Sequence, residues 1–305
     1  MIKSIFREKL PRLYFYRNKY RLEKTICKCK NYTKEEMVDA LKAIYKEKIG
    51  RELNLTPPRA YTEKMQWSKL YGGDDVFKAR LSDKYLVRNF VVDTIGEEYL
   101  IPLLGVWDKF DDIDFNLLPE KFVLKTNNGS GTNMLVKSKK KLDYRLARSK
   151  FNFWMSIPFG FQNAFQLHYN LITPKIICEE FMCDNEHEDL LDYKFLCFNG
   201  EVKAIWVDMD RSTQHTRNIY DVDWNLLPWR QALPNYDGVI QKPTNLDAMI
   251  KIARKLSHDI PHVRVDLYNI NSKIYFGEMT FTNGSGLDKI YPDEYDFMLG
   301  EYWKI

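Results

Sequence analysis

The spacing of apolar positions changes along this chain, and the changes mark its elements. Met37, Ala40, Leu41, Ile44 and Tyr45 recur three and four residues apart, which puts them on one face of a helix. Thr33 and Glu36 form a capping box ahead of it, and Gly50 ends it. Pro57 and Pro58 break the chain, so residues 51–60 read as a loop. A second helix is expected over 62–71, stopped by Gly72 and Gly73. Ser82 is expected to cap a third, with Val87, Phe90 and Val91 facing inward and Gly96 at its end. Residues 100–106 read as a strand and 142–154 as a helix. Leu246, Met249, Ile250, Ala253 and Leu256 mark a late helix. Short apolar runs at 122–124, 134–136, 176–178, 193–198 and 202–207 read as strands, the last two joined by a hairpin at Asn199-Gly200. Residues 262–268 and 273–280 form a hairpin around Asn271-Ser272. The segment 211–243 holds Pro228, Pro234 and Pro243 and is expected to be irregular. The aromatic-rich segment 158–170 shows no clear period.

Two stretches carry candidate chemistry. The first is KFVLKTNNGSGTN at 121–133. A short apolar strand leads to Lys125, and a small polar loop with Gly129 and Gly131 follows. Glycine permits positive φ and close backbone approach to a ligand. Successive N–H groups in such a loop can hold an anion, and a neighbouring lysine suits phosphate. No Gly-Lys-Ser/Thr follows, so this is not the Walker pattern. The stretch reads as a phosphate clamp or as a hairpin turn with a solvated lysine.

The second stretch is the last hairpin. Residues two apart on a strand share a face, so Arg264, Asp266 and Tyr268 point one way. On the partner strand Glu278 is expected to share a face with Phe276 and Thr280. With the turn centred on Ser272, Asp266 lies opposite Glu278, roughly 5 Å apart at Cβ. Two carboxylates that close repel unless a proton or cation intervenes. Mg²⁺ held by carboxylates and completed by phosphates meets that need. Arg264 can hold a phosphate or a developing negative charge, or it can simply bridge the two carboxylates.

Composition changes this picture little. The 305 residues are 45% hydrophobic and 29% charged, normal for a globular protein, and suffice for one large domain or two ordinary ones. A net charge of +4 points to no nucleic-acid partner. The charge is uneven, however: residues 1–30 hold ten Lys/Arg and two Glu, a net +8, which leaves −4 elsewhere. Phe6, Tyr14, Phe15, Tyr16 and Tyr20 lie among those cations. This arm reads either as a segment for an anionic membrane surface or a partner, or as a helix packed on the body. Its charges interrupt every apolar run, so a secretory signal or a membrane span is not expected there. The five cysteines include no Cys-x-x-Cys pair, and Cys178 and Cys197 sit in apolar runs as buried thiols. A reducing cytoplasm is the expected setting.

From about Pro57 to the end, the order of several stretches resembles the ATP-grasp superfamily, and within it the TupA-like family of bacterial surface-polysaccharide biosynthesis. The stretches are EKMQW at 63–67, SDKYLVRNFV at 82–91, GEEYLIPLLGVW at 96–107 and KFVLKTNNGSG at 121–131. EEF at 179–181, DYKFLCFNGEV at 192–202, VRVDLY at 263–268 and GEMTFTNGSG at 277–286 continue the series. The resemblance implies an α+β ATP-grasp fold, two subdomains gripping ATP, at 119–305. A helical region at 31–118 and the basic arm at 1–30 would precede it. It implies ATP and Mg²⁺ bound in a cleft between two sheets.

The resemblance also implies roles. Lys125 contacts the ATP phosphates, and Asn128, Gly129, Ser130 and Gly131 form the phosphate loop. Arg88 stands shortly after Asp83-Lys84, where relatives often carry another ATP-binding lysine. Glu179, Glu180 and Phe181 form the hinge whose backbone meets adenine, and Asp192 or Lys194 makes a later nucleotide contact. Asp266 and Glu278 are the metal ligands, with Arg264 beside them as a catalytic group with Lys125. Where many relatives have an asparagine two residues after the glutamate, this chain has Thr280, with Asn283 further on; both are candidate ligands.

The implied activity is an ATP-dependent ligase joining a carboxylate to an amine through an acylphosphate. Its substrates would be small molecules or saccharides of surface-polysaccharide assembly, handled at the cytoplasmic membrane face through the arm. Two other readings compete. One is a glycosyltransferase, for which Asp208-Met209-Asp210 supplies an Asp-x-Asp after a strand. The other is a non-catalytic saccharide-binding or scaffold protein that keeps the fold.

Overall fold

A computed structural model of the chain describes residues 10–184, 190–209 and 215–305. Phe6, most of the acidic loop before Asp192, and Asp210 lie outside the described residues. The chain divides into two compact units. The first takes the described residues up to Asp39, Asp83–Tyr85 and Pro102–Phe181; the second takes Ala40–Ser82, Leu86–Ile101 and the described residues from Met182 to Ile305.

The first unit is built on a four-stranded antiparallel sheet of β1 (Leu103–Trp107), β2 (Phe122–Thr126), β3 (Asn133–Val136) and β4 (Ile176–Glu180), in the order β1-β4-β2-β3. Alternation decides its faces. Phe122, Leu124, Ile176 and Cys178 turn to a core with Ala147 and Phe151 of the helix Tyr144–Ser156. Val123, Lys125, Ile177 and Glu179 therefore share the opposite face. The described part of the basic arm is the helix α1 (Pro11–Cys29). Its Phe15 and Ile26 pack against Leu146, Phe153 and Ile157, and Arg12 pairs with Asp143 at 2.8 Å. Leu13, Tyr16 and Tyr20 stay exposed. The segment 158–170 contains two short 3₁₀ turns, Phe159–Phe161 and Leu167–Leu171.

The helix α2 (Lys34–Ile49) begins with the expected Thr33/Glu36 reciprocal cap and runs into the second unit. There follow α3 (Tyr61–Tyr71), α4 (Asp75–Ser82) and α5 (Val87–Thr94). Ser82 closes α4 rather than capping α5, whose N-cap position is taken by Leu86. The sheet of this unit has five antiparallel strands in the order β10-β9-β5-β6-β7. They are β5 (Asp192–Phe198), β6 (Glu201–Met209), β7 (Thr216–Tyr220), β9 (Val263–Ile270) and β10 (Lys273–Thr280). The expectation of an irregular 211–243 fails in two places. Thr216–Tyr220 extends the sheet, and β8 (Arg230–Gln231) pairs with β11 (Ile290–Tyr291). Neither run alternates cleanly in sequence, because both faces of β7 are buried.

The two faces of the five-stranded sheet differ. One is apolar throughout: Phe195, Val207, Val265, Leu267 and Phe276 pack under α5 and α7 (Leu246–Leu256). The other is apolar at one end only. There Leu196, Phe198, Ala204, Trp206 and Ile219 meet Tyr61 and Met65 of α3 and Leu299 of α8 (Glu294–Tyr302). The rest of that face is charged.

Candidate functional site

The charged part of that face is a row across five strands. Glu278, Asp266, Lys194, Asp208 and Arg217 come from β10, β9, β5, β6 and β7 in turn; register aligns neighbours on each side of β5, while between β5 and β6 the row steps by two residues, since Lys194 itself lies opposite Trp206. Glu278 lies opposite Asp266, Asp266 opposite Lys194, Asp192 opposite Asp208, and Asp208 opposite Arg217.

The Glu278–Asp266 pairing depends on a bulge. The two-residue turn Asn271-Ser272, both at positive φ, aligns Tyr275 with Tyr268 and Phe276 with Leu267. Continued unbroken, that register would set Glu278 opposite Val265, on the apolar face. The pairing shifts by one residue between Phe276 and Glu278, so Glu278 turns to the Asp266 side. Phe276 stays in the apolar core. The expectation that Phe276 and Glu278 share a face is therefore corrected, since a bulge interrupts the period of two.

Arg264 holds the row together. Its Nε and Nη2 each lie 2.7 Å from an oxygen of Asp266, and Nη2 is 3.1 Å from Glu278 Oε1 and 3.1 Å from Thr280 Oγ1. Lys194 Nζ bonds Asp192 and lies 3.2 Å from Asp266 Oδ2 and 3.7 Å from Asp208 Oδ2. Asp208 is clamped by Arg217 through both oxygens, at 2.5 and 3.0 Å. Burial works to raise the Asp208 carboxyl, but Arg217 and Lys194 overcome it and hold it below the usual range. Burial pushes Asp266 up, opposed by Arg264 and Lys194.

Among the described residues no group of three or more His, Cys, Asp and Glu side chains is arranged to hold a metal. The pair Asp266 and Glu278 still fits Mg²⁺, which takes one or two carboxylates and completes its shell with water and phosphate oxygens. Glu278 is suited to this role because its side chain is about a third exposed (32%), against 4% for Asp266. Thr280 Oγ1 sits 3.2 Å from Glu278 Oε1. Asn283 is separately engaged: its Oδ1 stands 2.7 Å from the Tyr61 hydroxyl.

In the first unit, Lys125 Nζ lies 2.5 Å from Glu179 Oε2 on the face they share. The loop beyond is anchored from below. Asn127 Nδ2 donates to Asp83 Oδ2 at 2.9 Å and to the Thr173 carbonyl at 3.0 Å, and its Oδ1 accepts from the Lys175 N–H. Gly131 has φ of 71°, a value that favours glycine, and a Cβ on Gly129 would stand 2.6 Å from the Phe159 ring. Asn128 and Gly129 are buried, while Ser130 and Gly131 are exposed at the loop tip. Lys84, which the sequence reading used only as a landmark, donates from Nζ to the Gly129 carbonyl at 2.5 Å. No local signal marks it, since the contact spans 45 residues of sequence. Arg88 belongs to the other unit and donates to the Ile101 carbonyl at 2.9 Å. The Glu180 N–H is committed to the Pro102 carbonyl at 3.0 Å, and Phe181 is half-buried at the end of the unit.

A family model described as TupA-like ATP-grasp matches residues 63–304. The chain belongs to that family. The ATP-grasp fold expected from the sequence is thereby established, with helices ahead of it. A comparison with curated proteins finds no match. Among solved structures, D-alanine–D-alanine ligase from Bacillus anthracis, complexed with ATP, is similar at 15% identity and a TM-score of 0.39. The likeness covers 66% of this chain and 54% of that one. The ligase of that name from Helicobacter pylori is similar at 15% identity and a TM-score of 0.40, over 74% of this chain and 61% of that one. An ADP complex of N5-carboxyaminoimidazole ribonucleotide synthetase is similar at 10% identity and a TM-score of 0.41, over 66% and 45%. The chain thus spans about half the length of these structures.

Two further features of this TupA-like ATP-grasp chain bear on chemistry. All five cysteines are free, and burial pushes the thiols of Cys178 and Cys197 up to about 12, so both are inert packing groups. Lys69, on α3, is buried and donates to the Ser285 carbonyl at 3.0 Å. Burial lowers its pKa to about 7. Unfolded, it would titrate near about 10.4. Between those values the unfolded chain binds more protons, so stability is expected to rise with pH from about 7 toward 10. Urea midpoints measured at pH 7 and pH 9.5 should show this rise, and Lys69→Met should flatten it. An equal slope in the variant would assign the pH dependence to other groups.

Proposed function

We propose that the chain is an ATP-dependent ligase that joins a carboxylate to an amine. The observation that carries this reading is the Glu278–Asp266 pair, turned to one face by a bulge and bridged by Arg264. It is supported by the family match and by the lysine-flanked loop of the other unit. Lys125, Lys84 and the N–H groups of 128–131 bind phosphate oxygens, as a loop of this kind and point charges do. Asp266 and Glu278 would hold Mg²⁺, which when bound neutralises phosphate charge. Arg264 keeps the two carboxylates oriented and adds fixed positive charge beside them.

In the reaction, a substrate carboxylate oxygen bonds to the γ-phosphorus and ADP leaves. The amine nitrogen then bonds to the acyl carbon, phosphate leaves and the nitrogen loses a proton. The enzyme's contribution is positioning and electrostatic stabilisation. Following the family resemblance, we assign the substrates to surface-polysaccharide assembly: an acidic saccharide or its precursor, and an amino acid or amino sugar.

Calorimetry with Mg·ATP tests the nucleotide part. Binding is expected, and Lys125→Ala should weaken it roughly ten- to a hundredfold, the value of one charged hydrogen bond. Absence of binding by the parent chain would remove the ligase reading, and normal binding by the variant would remove Lys125 from the site. A mass-spectrometric screen of pooled amino acids and uronic acids for ADP-coupled amide products tests the substrate class.

A further inference from the structure

The basic arm has no part in the ligase chemistry, yet its helix α1 is not uniform around its axis. Phe15, Leu22 and Ile26 form the inner face and meet Leu146, Phe153 and Ile157. Leu13, Tyr16 and Tyr20, three and four residues apart, form a second stripe, which is exposed. Tyr20 is 70% exposed, so its ring gains almost nothing from the fold. Arg17, Arg21, Lys24 and Lys28 repeat that spacing on a third face, also exposed. Among the described residues none of these four cations pairs with a carboxylate.

The fold sets a second basic segment beside this helix. Residues 137–150 hold seven Lys/Arg and one Asp, a net +6. Arg12 pairs with Asp143, 131 residues further on, at 2.8 Å, and the Tyr16 hydroxyl lies 3.4 Å from Ser149 Oγ. Arg145 stands one turn before Ser149 on the same side of the helix Tyr144–Ser156, and Lys140 and Lys141 come just ahead of Asp143. These three cations are exposed, and among the described residues none pairs with a carboxylate. Their neighbours are engaged: Lys139 donates to the Phe115 and Leu118 carbonyls, and Arg148 pairs with Asp111 at 2.6 Å. Arg12 and Tyr16, which touch the second segment, lie on the side of α1 away from Arg17 and Arg21. The stripe of Leu13, Tyr16 and Tyr20 is therefore bordered by the four cations of α1 on one side and by Lys140, Lys141 and Arg145 on the other. Outside residues 1–30 and 137–150 the chain is net −10, so this surface concentrates its positive charge.

We propose that this surface of the first unit docks on an anionic lipid bilayer. Leu13, Tyr16 and Tyr20 enter the headgroup region, and the cations on both sides meet the anionic headgroups. Tyrosine suits that depth, because its ring is apolar and its hydroxyl stays wet. Among the described residues no helix is long and apolar enough to cross a membrane, so the contact is made at the surface. A nucleic acid would engage the cations but would leave Leu13, and Leu10 beside it, exposed in the middle of the contact. The proposal stands apart from the ligase reading and does not depend on it.

Co-sedimentation of the full chain with vesicles of phosphatidylcholine, with and without phosphatidylserine, tests it. Binding is expected only to the anionic vesicles, and high salt should release it. A cation near such a surface changes affinity roughly fivefold. Arg17→Gln with Lys24→Gln should therefore weaken binding about twenty- to thirtyfold, and Lys140→Gln with Lys141→Gln should do the same. The second pair lies off the arm, so it separates a folded surface from an arm acting alone. Leu13→Ser with Tyr20→Ser should weaken binding at least about tenfold, since two apolar contacts are lost. All six side chains are exposed, so thermal unfolding should be unchanged. Deleting residues 1–9 should leave most of the binding. Equal binding to both kinds of vesicle, or none to either, overturns the proposal. So does parental binding by the Lys140/Lys141 or the Leu13/Tyr20 variant. Loss of binding on deleting residues 1–9 would assign it to that segment instead. Tight binding of double-stranded DNA without vesicle binding would assign the surface to a nucleic acid.

Discussion

Glu278→Gln is expected to lower ligase turnover by roughly a thousandfold, the scale seen when one preorganised electrostatic group is lost from an active site. The fold should survive. Glu278 is about a third exposed, and its contacts from Arg264 and Thr280 are made at one oxygen, which the amide keeps in kind. Asp266→Asn should lose turnover to the same degree but also lose stability. Its carboxylate is buried and holds two cations, Arg264 through both oxygens and Lys194 through one. Breaking a buried pair costs roughly 3–5 kcal/mol, and the lower end applies because Glu278 and Asp192 still engage the two cations. ADP release and urea unfolding, measured on both variants, separate the roles. Near-parental turnover by Glu278→Gln would move the metal site elsewhere, and an undiminished midpoint for Asp266→Asn would contradict the ion network.

Gly300→Ala should produce the largest loss of stability from a single methyl group. Gly300 lies in α8, where the helix meets the start of α3. A Cβ there would stand 2.0 Å from the Arg59 carbonyl oxygen and 2.9 Å from the Tyr61 N–H nitrogen. Both are backbone atoms and cannot swing aside. The helices are also pinned on either side of this point. Buried Asp296 accepts from the Thr62 N–H at 2.9 Å and from its hydroxyl at 2.6 Å, and Lys64 Nζ bonds the Gly300 and Trp303 carbonyls at 2.9 and 2.7 Å. The methyl group must therefore force α8 off its seat, against the apolar packing of Leu299 and Trp303 on Tyr61 and Met65. A cost of at least about 3 kcal/mol is expected, since overpacking usually costs 1–3 and here no side chain can yield. Thermal unfolding followed by circular dichroism should show a Tm lower by at least about 6 °C. A variant as stable as the parent would mean that the helices do not approach this closely.

The sequence by itself determined the local periods, the anion loop with Lys125, the alternation that puts Arg264 and Asp266 on one face, and the family. Each is written within a short window or in the order of such windows; the alternation of Arg264 and Asp266 reappears in the structure, and the family is shown by the matching family model. The sequence reading erred where long-range packing overrides the local period. Phe276 and Glu278 are two apart yet face opposite ways, because the bulge between them adds a residue to one strand. Thr216–Tyr220 becomes a strand through its pairing with Glu201–Met209, although no alternation announces it. The tertiary structure alone decided the company each charge keeps. Lys194, Asp208 and Arg217 join the Asp266 row because of the order β9-β5-β6-β7. Lys84 reaches the loop, and Tyr61 reaches His262 and Asn283 across 201 and 222 residues. Where no bulge intervenes, a side chain's direction follows from its own neighbours in sequence, but its partner follows from strand order and helix docking, which a single chain's periodicity does not encode.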